Sequence, residues 1–196
     1  MFSADDADAR FLGAATGDRA GEGVTTGGDL NGDGYDDLVI SSRLNDHLLR
    51  EDSGKVYIID GAGGWPVSLN LRDATDNFIY GEVADARIGR SNTIVRSYDG
   101  TDSDWLVVGA DTSPIGGEET GAVYFIPGDT LTGAIDLADA DRVLRGEGPT
   151  HQAGYSVANV GDVDRDGWED VLIGAYKYDG IEENEGKVYL IYGTDL

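Results

Sequence analysis

Gly186-Lys187-Val188-Tyr189-Leu190-Ile191 has two counterparts in the chain, Gly54-Lys55-Val56-Tyr57-Ile58-Ile59 and Gly121-Ala122-Val123-Tyr124-Phe125-Ile126, with starting glycines 67 and 65 residues apart. A glycine followed by a run of Val, Ile, Leu and aromatic residues reads as a turn leading into a short strand. Two further sets keep nearly the same spacing. Phe11-Leu12-Gly13, Ile79-Tyr80-Gly81 and Leu144-Arg145-Gly146 recur with glycines 68 and 65 apart, and Leu38-Val39-Ile40-Ser41-Ser42 has its counterparts in Leu106–Ala110 and Val171–Ala175. Three copies of one unit, each about 66 residues long, therefore fill the chain.

Each unit reads as four short strands bounded by Gly, Asp, Asn and Ser, which in the third unit fall near 144–146, 154–160, 170–176 and 186–192. No amphipathic helical period interrupts them, and the Ala/Asp-rich stretch 134–142 has room for a single turn. The expected class is all-β, with four-stranded sheets repeated radially as the blades of a β-propeller. Residues 1–196 read as a single domain, with repeats at approximately 10–76, 77–141 and 142–196. The Phe11-Leu12-Gly13 element is expected to pair with the last blade, closing the array and hiding two sheet edges. Three blades fall below the usual four to eight. Three arrangements follow: a compact three-bladed propeller or prism, a six-bladed ring in which two chains share strands, or a piece of a longer ring. The matched ends favour the first two, so the chain is expected to be a monomer or a strand-sharing homodimer.

The 196 residues are 40% hydrophobic, enough for a sizeable core, and carry a formal charge of −24. Such acidity repels nucleic acid and anionic lipid and favours cationic, neutral or metal-bridged partners. Cysteine is absent, which excludes disulfides, thiolate metal sites and a cysteine nucleophile. The first residues carry neither a basic segment nor an apolar core of signal-peptide length, and no stretch is long enough to span a bilayer. The expectation is a soluble chain with no direct membrane insertion.

Between the first two strands of unit one lies Asp29-Leu30-Asn31-Gly32-Asp33-Gly34-Tyr35-Asp36-Asp37, and unit three carries Asp162-Val163-Asp164-Arg165-Asp166-Gly167-Trp168-Glu169-Asp170 at the same place. Carboxylate or amide oxygens recur at positions 1, 3, 5 and 9 with glycine at 6. Alternate residues of a tight loop turn their oxygens inward, glycine permits the bend, and a main-chain carbonyl at position 7 completes the shell. Hard oxygen donors without His or Cys select calcium. An EF-hand would need a bidentate Glu at position 12 and a following helix, but Ile40 and Ile173 stand there inside apolar strands. The competing reading is a metal-free turn rich in Asp, Asn and Gly, which leaves crowded carboxylates repelling one another. Unit two places Ser97, Asp99, Thr101, Asp102, Ser103 and Trp105 at positions 1, 3, 5, 6, 7 and 9. It lacks the glycine and most of the acids, so two calcium ions are expected, not three.

These residues resemble FG-GAP repeats, the blades of the integrin α-subunit β-propeller and its bacterial relatives. Phe11-Leu12-Gly13, Gly109-Ala110 and Gly174-Ala175 match the name-giving elements, and unit one departs with Ser41-Ser42. The resemblance implies a nonapeptide that binds Ca2+ on a β-hairpin, through Asp29, Asn31, Asp33, Tyr35 and Asp37 and through Asp162, Asp164, Asp166, Trp168 and Asp170. Tyr35 and Trp168 would supply main-chain carbonyls. Integrin ligand binding uses a full-sized ring and a partner subunit, and does not transfer to three units.

His47 and His151 lie outside any catalytic motif, and most of the crowded acids are assigned to calcium. The expectation is no enzymatic activity. Glu51-Asp52, Glu118-Glu119 and Glu182–Glu185 read as solvated hairpin tips, and Trp65 as a cap on a blade. The resulting reading is a calcium-stabilised extracellular module, secreted or at the cell surface, that serves adhesion or binds a protein or glycan ligand. The alternatives are a lectin and an architectural unit of a larger surface protein.

Overall fold

The computed structural model describes residues 3–96, 104–140 and 142–195. Among them run β1 (Phe11–Leu12), β2 (Ala20–Thr26), β3 (Leu38–Ser42), β4 (Lys55–Ile59), β5 (Leu69–Asn70), α1 (Leu71–Ala74), β6 (Phe78–Tyr80), β7 (Asn92–Val95), β8 (Trp105–Ala110), β9 (Ala122–Pro127), β10 (Ala134–Asp136), β11 (Val143–Arg145), β12 (Ala153–Gly161), β13 (Asp170–Ala175) and β14 (Lys187–Ile191). The all-β class agrees with the sequence reading. The stretch expected to hold a single turn carries a short 3-10 turn at Leu137–Asp139.

Each unit forms an antiparallel three-stranded meander: β2-β3-β4, β7-β8-β9 and β12-β13-β14. The register repeats as well, with Ile40 opposite Tyr57, Val108 opposite Tyr124 and Ile173 opposite Tyr189. A fourth strand comes from the next unit. β6 pairs with β4 through Val56 and Ile79, and β11 pairs with β9 through Val123 and Leu144. β10 then adds a parallel fifth strand outside β6. Sequence repeat and sheet are thus out of phase: the opening strand of one unit finishes the sheet of the unit before it.

The expected closure is corrected by this pairing. β1 does not join the last sheet; it pairs in parallel with β5, Phe11 against Leu69 and Leu12 against Asn70. Among the described residues β14 is hydrogen-bonded to β13 alone, so the last sheet has three strands. The physical reason lies in β5 and the turn after it. Asn70 caps that turn by accepting from the Arg72 N–H, as Asp136 accepts from the Ala138 N–H, and Leu71 is as buried as Leu137. The β1–β5 pair repeats the β6–β10 pair, so the first unit itself carries the partner that holds β1 in place.

Alternation along the strands sends residues to two faces, and the core lies between sheets. Val39, Val56, Ile58 and Ile79 of the first sheet share a buried cluster with Ile94, Leu106, Val108, Tyr124 and Ile126 of the second. Val95, Val107, Val123 and Phe125 on the opposite face of the second sheet pack with Val157, Val171 and Ile173 of the third. On the outer side of the first sheet, Tyr57, Ile59 and Leu71 cluster with partly buried Phe11, Leu38 and Ile40. Trp65 meets Phe11 edge-on, with ring centroids 6.3 Å apart, and so lies against the outer side of the first sheet.

Two of the acidic tips are docked rather than simply solvated. The carbonyls of Glu51 and Asp52 accept the N–H groups of Asp85 and Arg87 at 2.9 and 3.0 Å, and those of Glu118 and Glu119 accept the N–H groups of Thr150 and Gln152 at 2.7 and 3.2 Å. The third tip, Glu182–Glu185, is exposed.

β10 is also tied down by charge. The Arg50 guanidinium donates to Asp136 Oδ1 at 2.9 Å and lies 2.8 Å from Oδ2, while also donating to the Gly81 carbonyl. Burial alone would raise the Asp136 carboxyl, but the Arg50 fork and the Ala138 N–H hold it below its ordinary value. A depressed carboxylate contributes stability above its unfolded pKa that is lost as pH falls through the folded one. Arg50→Ala is expected to cost about 1 kcal/mol near neutrality, as for a partly exposed bidentate pair. Most of that difference should vanish at acid pH, which urea unfolding across the acid range measures.

Candidate metal centre

The two acidic nonapeptides form the loops β2–β3 and β12–β13 and share a hydrogen-bonded scaffold. In the first, Asp29 Oδ1 accepts the N–H groups of Gly32 and Asp33 at 2.7 and 3.0 Å, and Oδ2 accepts that of Gly34 at 2.7 Å. In the third unit, Asp162 Oδ1 accepts from Asp166 N–H and Oδ2 from Gly167 N–H, both at 3.0 Å. Asp33 and Asp166 each accept the N–H two residues on, from Tyr35 and Trp168, at 2.9 Å. The loop closes around its first aspartate because Gly34 and Gly167 sit at φ +91 and +99 with open space beside them. Glycine is needed there for its dihedral, since a side chain at this φ is strained.

In the third unit, ligand atoms of Asp162, Asp164 and Asp166 all lie within 4.8 Å of one another, on exposed residues. Partial desolvation and the charges of Asp166, Asp170 and Asp162 push the Asp164 carboxyl up, against the Asp166 N–H that pulls it down. The first unit offers two carboxylates and an amide at these positions. Asn31 Oδ1 accepts from Asp33 N–H at 2.9 Å, and Asn31 Nδ2 donates to Asp33 Oδ2 at 3.2 Å. Tyr35 is exposed and Trp168 half-buried, both at the loop tips.

Position 9 is different. Asp37 and Asp170 are fully buried. Asp37 accepts the Leu30 N–H at 2.8 Å and the Gly61 N–H at 2.7 Å; Asp170 accepts the Val163 N–H at 2.8 Å and the Gly193 N–H at 2.9 Å. Each staples its loop to the end of the third strand, while every carboxylate oxygen keeps another lone pair for a ligand. Burial pushes the Asp37 carboxyl up, against the two N–H groups that lower it.

Gly61 and Gly193 are the partners that reading the nonapeptides alone misses. Their signal lies in the repeat: with Gly128 they follow the third strand at spacings of 67 and 65 residues. A Cβ on Gly61 would stand 2.5 Å from the Asp36 carbonyl oxygen, and one on Gly193 would stand 2.5 Å from Trp168 Cβ. Gly61→Ala is therefore expected to lower stability by about 2 kcal/mol through overpacking, read as a lower urea midpoint at unchanged slope.

The unit-two positions Ser97, Asp99, Thr101, Asp102 and Ser103 lie outside the described residues. Trp105 occupies position 9 there, and Gly128 N–H donates to the Asp104 carbonyl at 2.8 Å instead of to a carboxylate. Asp104 Oδ2 accepts the Asp29 N–H at 2.9 Å, tying the first loop to the second unit. The two histidines are taken up in aromatic contacts, His47 with Tyr80 and His151 with Tyr178 at centroid distances of 4.1 and 4.6 Å. No helix among the described residues is long and apolar enough to cross a membrane.

All donors at the two loops are oxygens, three of them carboxylates gathered in unit three, a set that fits a hard divalent cation. The FG-GAP repeat model matches residues 20–59 and 153–191, each match covering a three-stranded meander and its acidic loop. Over 156 residues the chain is 28% identical to integrin alpha-V of Gallus gallus, an alignment covering 77% of this chain and 14% of that protein. The chain thus spans a small part of that relative's length. It carries two FG-GAP repeats, in its first and third units, and is similar to integrin alpha-V.

Proposed function

We propose that this chain is a calcium-binding, non-enzymatic module of an integrin-like β-propeller, acting outside the cell or at its surface in adhesion or ligand binding. The observation that carries the reading is the convergence of the Asp162, Asp164 and Asp166 carboxylates within 4.8 Å in a loop whose backbone scaffold is repeated in unit one. Backbone N–H groups orient the first aspartate, the glycine at position 6 turns the chain, and the buried aspartate at position 9 anchors the loop. Asp29, Asn31, Asp33 and Asp37, and Asp162, Asp164, Asp166 and Asp170, would hold one Ca2+ each, with the Tyr35 and Trp168 carbonyls as further donors. The ion supplies charge neutralisation and a rigid rim; the chain's own residues preset the loop. FG-GAP repeats and the likeness to integrin alpha-V support an extracellular role, where calcium is abundant and weak sites fill.

Equilibrium dialysis against radioactive calcium tests the metal assignment. Two ions per chain are expected, falling to one in Asp33→Ala or in Asp166→Ala. Stoichiometry below one in the wild-type chain overturns it.

A further inference from the structure

Among the described residues the third sheet has three strands, without the fourth strand that the first two sheets carry. Val56 and Val123 are completely buried, and Ile58 and Phe125 are 2% and 6% exposed, because each pair faces the following blade. Their repeat equivalents Val188 and Leu190 are 64% and 41% exposed. The edge of β14, filled in the other sheets by β6 and β11, carries no further strand among the described residues. At the opposite end of the molecule β1 occupies the place of β6, with its parallel neighbour β5 attached and no antiparallel neighbour among the described residues. An apolar groove of about 290 Å³, lined by Phe11, Val24, Thr26, Leu38 and Ile40, lies there.

We infer that β1 of one copy of this chain completes the third blade of a second copy, and that two copies related head-to-tail close a six-bladed ring. Both partial blades are complementary, and six blades fall within the range that closes. The contact continues an interface the chain already makes twice.

Two details of the backbone support the same junction. Asp85 and Arg87, and Thr150 and Gln152, hold positive φ angles of +59, +48, +62 and +56 while receiving the tips of the preceding unit. Their equivalents Gly17 and Arg19 hold +94 and +53, although no neighbouring tip is bonded there among the described residues; the Glu183 and Asn184 carbonyls of a second copy are the equivalent acceptors. Gly81 and Gly146 are glycines because a Cβ would stand 2.3 Å from the Ser53 carbonyl oxygen and 2.0 Å from that of Thr120. Gly13 is their equivalent, yet its nearest neighbour would be Ala20 Cβ at 3.4 Å. The Glu185 carbonyl of a second copy occupies the equivalent space.

The register of β6 on β4, with Lys55 opposite Tyr80, places Leu12 of one copy opposite Lys187 of the other. The chain has no cysteine, and facing strand residues have the Cα separation a disulfide requires. Mild oxidation of a mixture of the Leu12→Cys and Lys187→Cys variants is expected to yield a cross-linked heterodimer. Light scattering of the wild type in calcium and moderate salt should give twice the chain mass of 20.8 kDa. Gly13→Ala, harmless to the isolated fold, should weaken association at least tenfold with circular dichroism unchanged. A single-chain mass at all concentrations overturns the inference. So does a cross-link that forms only within the doubly substituted chain, or a mass that keeps growing with concentration.

Discussion

Chelation of calcium is expected to lower the melting temperature of this chain by roughly 10–20 °C. An ion present at 100 times its Kd stabilises the state that binds it by about 2.7 kcal/mol, and two loops together approach about 5 kcal/mol. A chain of this size shifts by about 2–4 °C per kcal/mol. The mechanism is local: the carboxylates of Asp162, Asp164 and Asp166 are held together by the backbone bonds of the loop, and a bound cation offsets their repulsion. Asp166→Ala and Asp33→Ala should each forfeit about half of the calcium-dependent shift. Loop three carries aspartate at position 3 where loop one has Asn31, so its higher charge makes it the tighter site. In a calcium titration followed by differential scanning fluorimetry, Asp166→Ala should therefore remove the first-filling step. A melting temperature indifferent to chelator in the wild type contradicts the prediction.

Asp170→Ala is expected to destabilise the chain by about 3–5 kcal/mol with or without calcium. The substitution leaves the Val163 and Gly193 N–H groups without their acceptor, beside the fully buried position that the carboxylate filled. Each unsatisfied buried donor costs about 1–3 kcal/mol, and the lost side chain adds a cavity. Asp37→Ala removes the acceptor of the Leu30 and Gly61 N–H groups and should behave alike. The comparison separates two roles within one nonapeptide. In chelator, Asp166→Ala should unfold at nearly the wild-type urea concentration, whereas Asp170→Ala should unfold well below it.

Much of the fold was legible because it repeats. The three Gly-x-Val-Tyr strands and the three Leu/Val-rich strands that pair with them are periodic in sequence because each sits in the same sheet position, and their registers recur at Tyr57, Tyr124 and Tyr189. The acidic loops were legible for the same reason: a nonapeptide with oxygens at alternate positions and glycine at 6 is a local object, in which the hydrogen bonds accepted by the Asp29 and Asp162 carboxylates span five residues or fewer. The second role of Asp37 and Asp170 was hidden. Their partners Gly61 and Gly193 lie 24 and 23 residues away, and nothing within the nonapeptide marks the ninth aspartate as buried.

Local pattern thus reaches as far as strand, turn and repeat, since these depend on residues that are near neighbours along the chain. Which strand finishes which sheet does not follow from the pattern. Phe11-Leu12-Gly13, Ile79-Tyr80-Gly81 and Leu144-Arg145-Gly146 are equivalent in sequence, yet β6 and β11 each join the preceding sheet while β1, among the described residues, rests on β5 alone. A short outer strand has too few residues to select its own partner. Its place is set by the neighbour presented to it once the sheets have packed, and that is a property of the packed sheets.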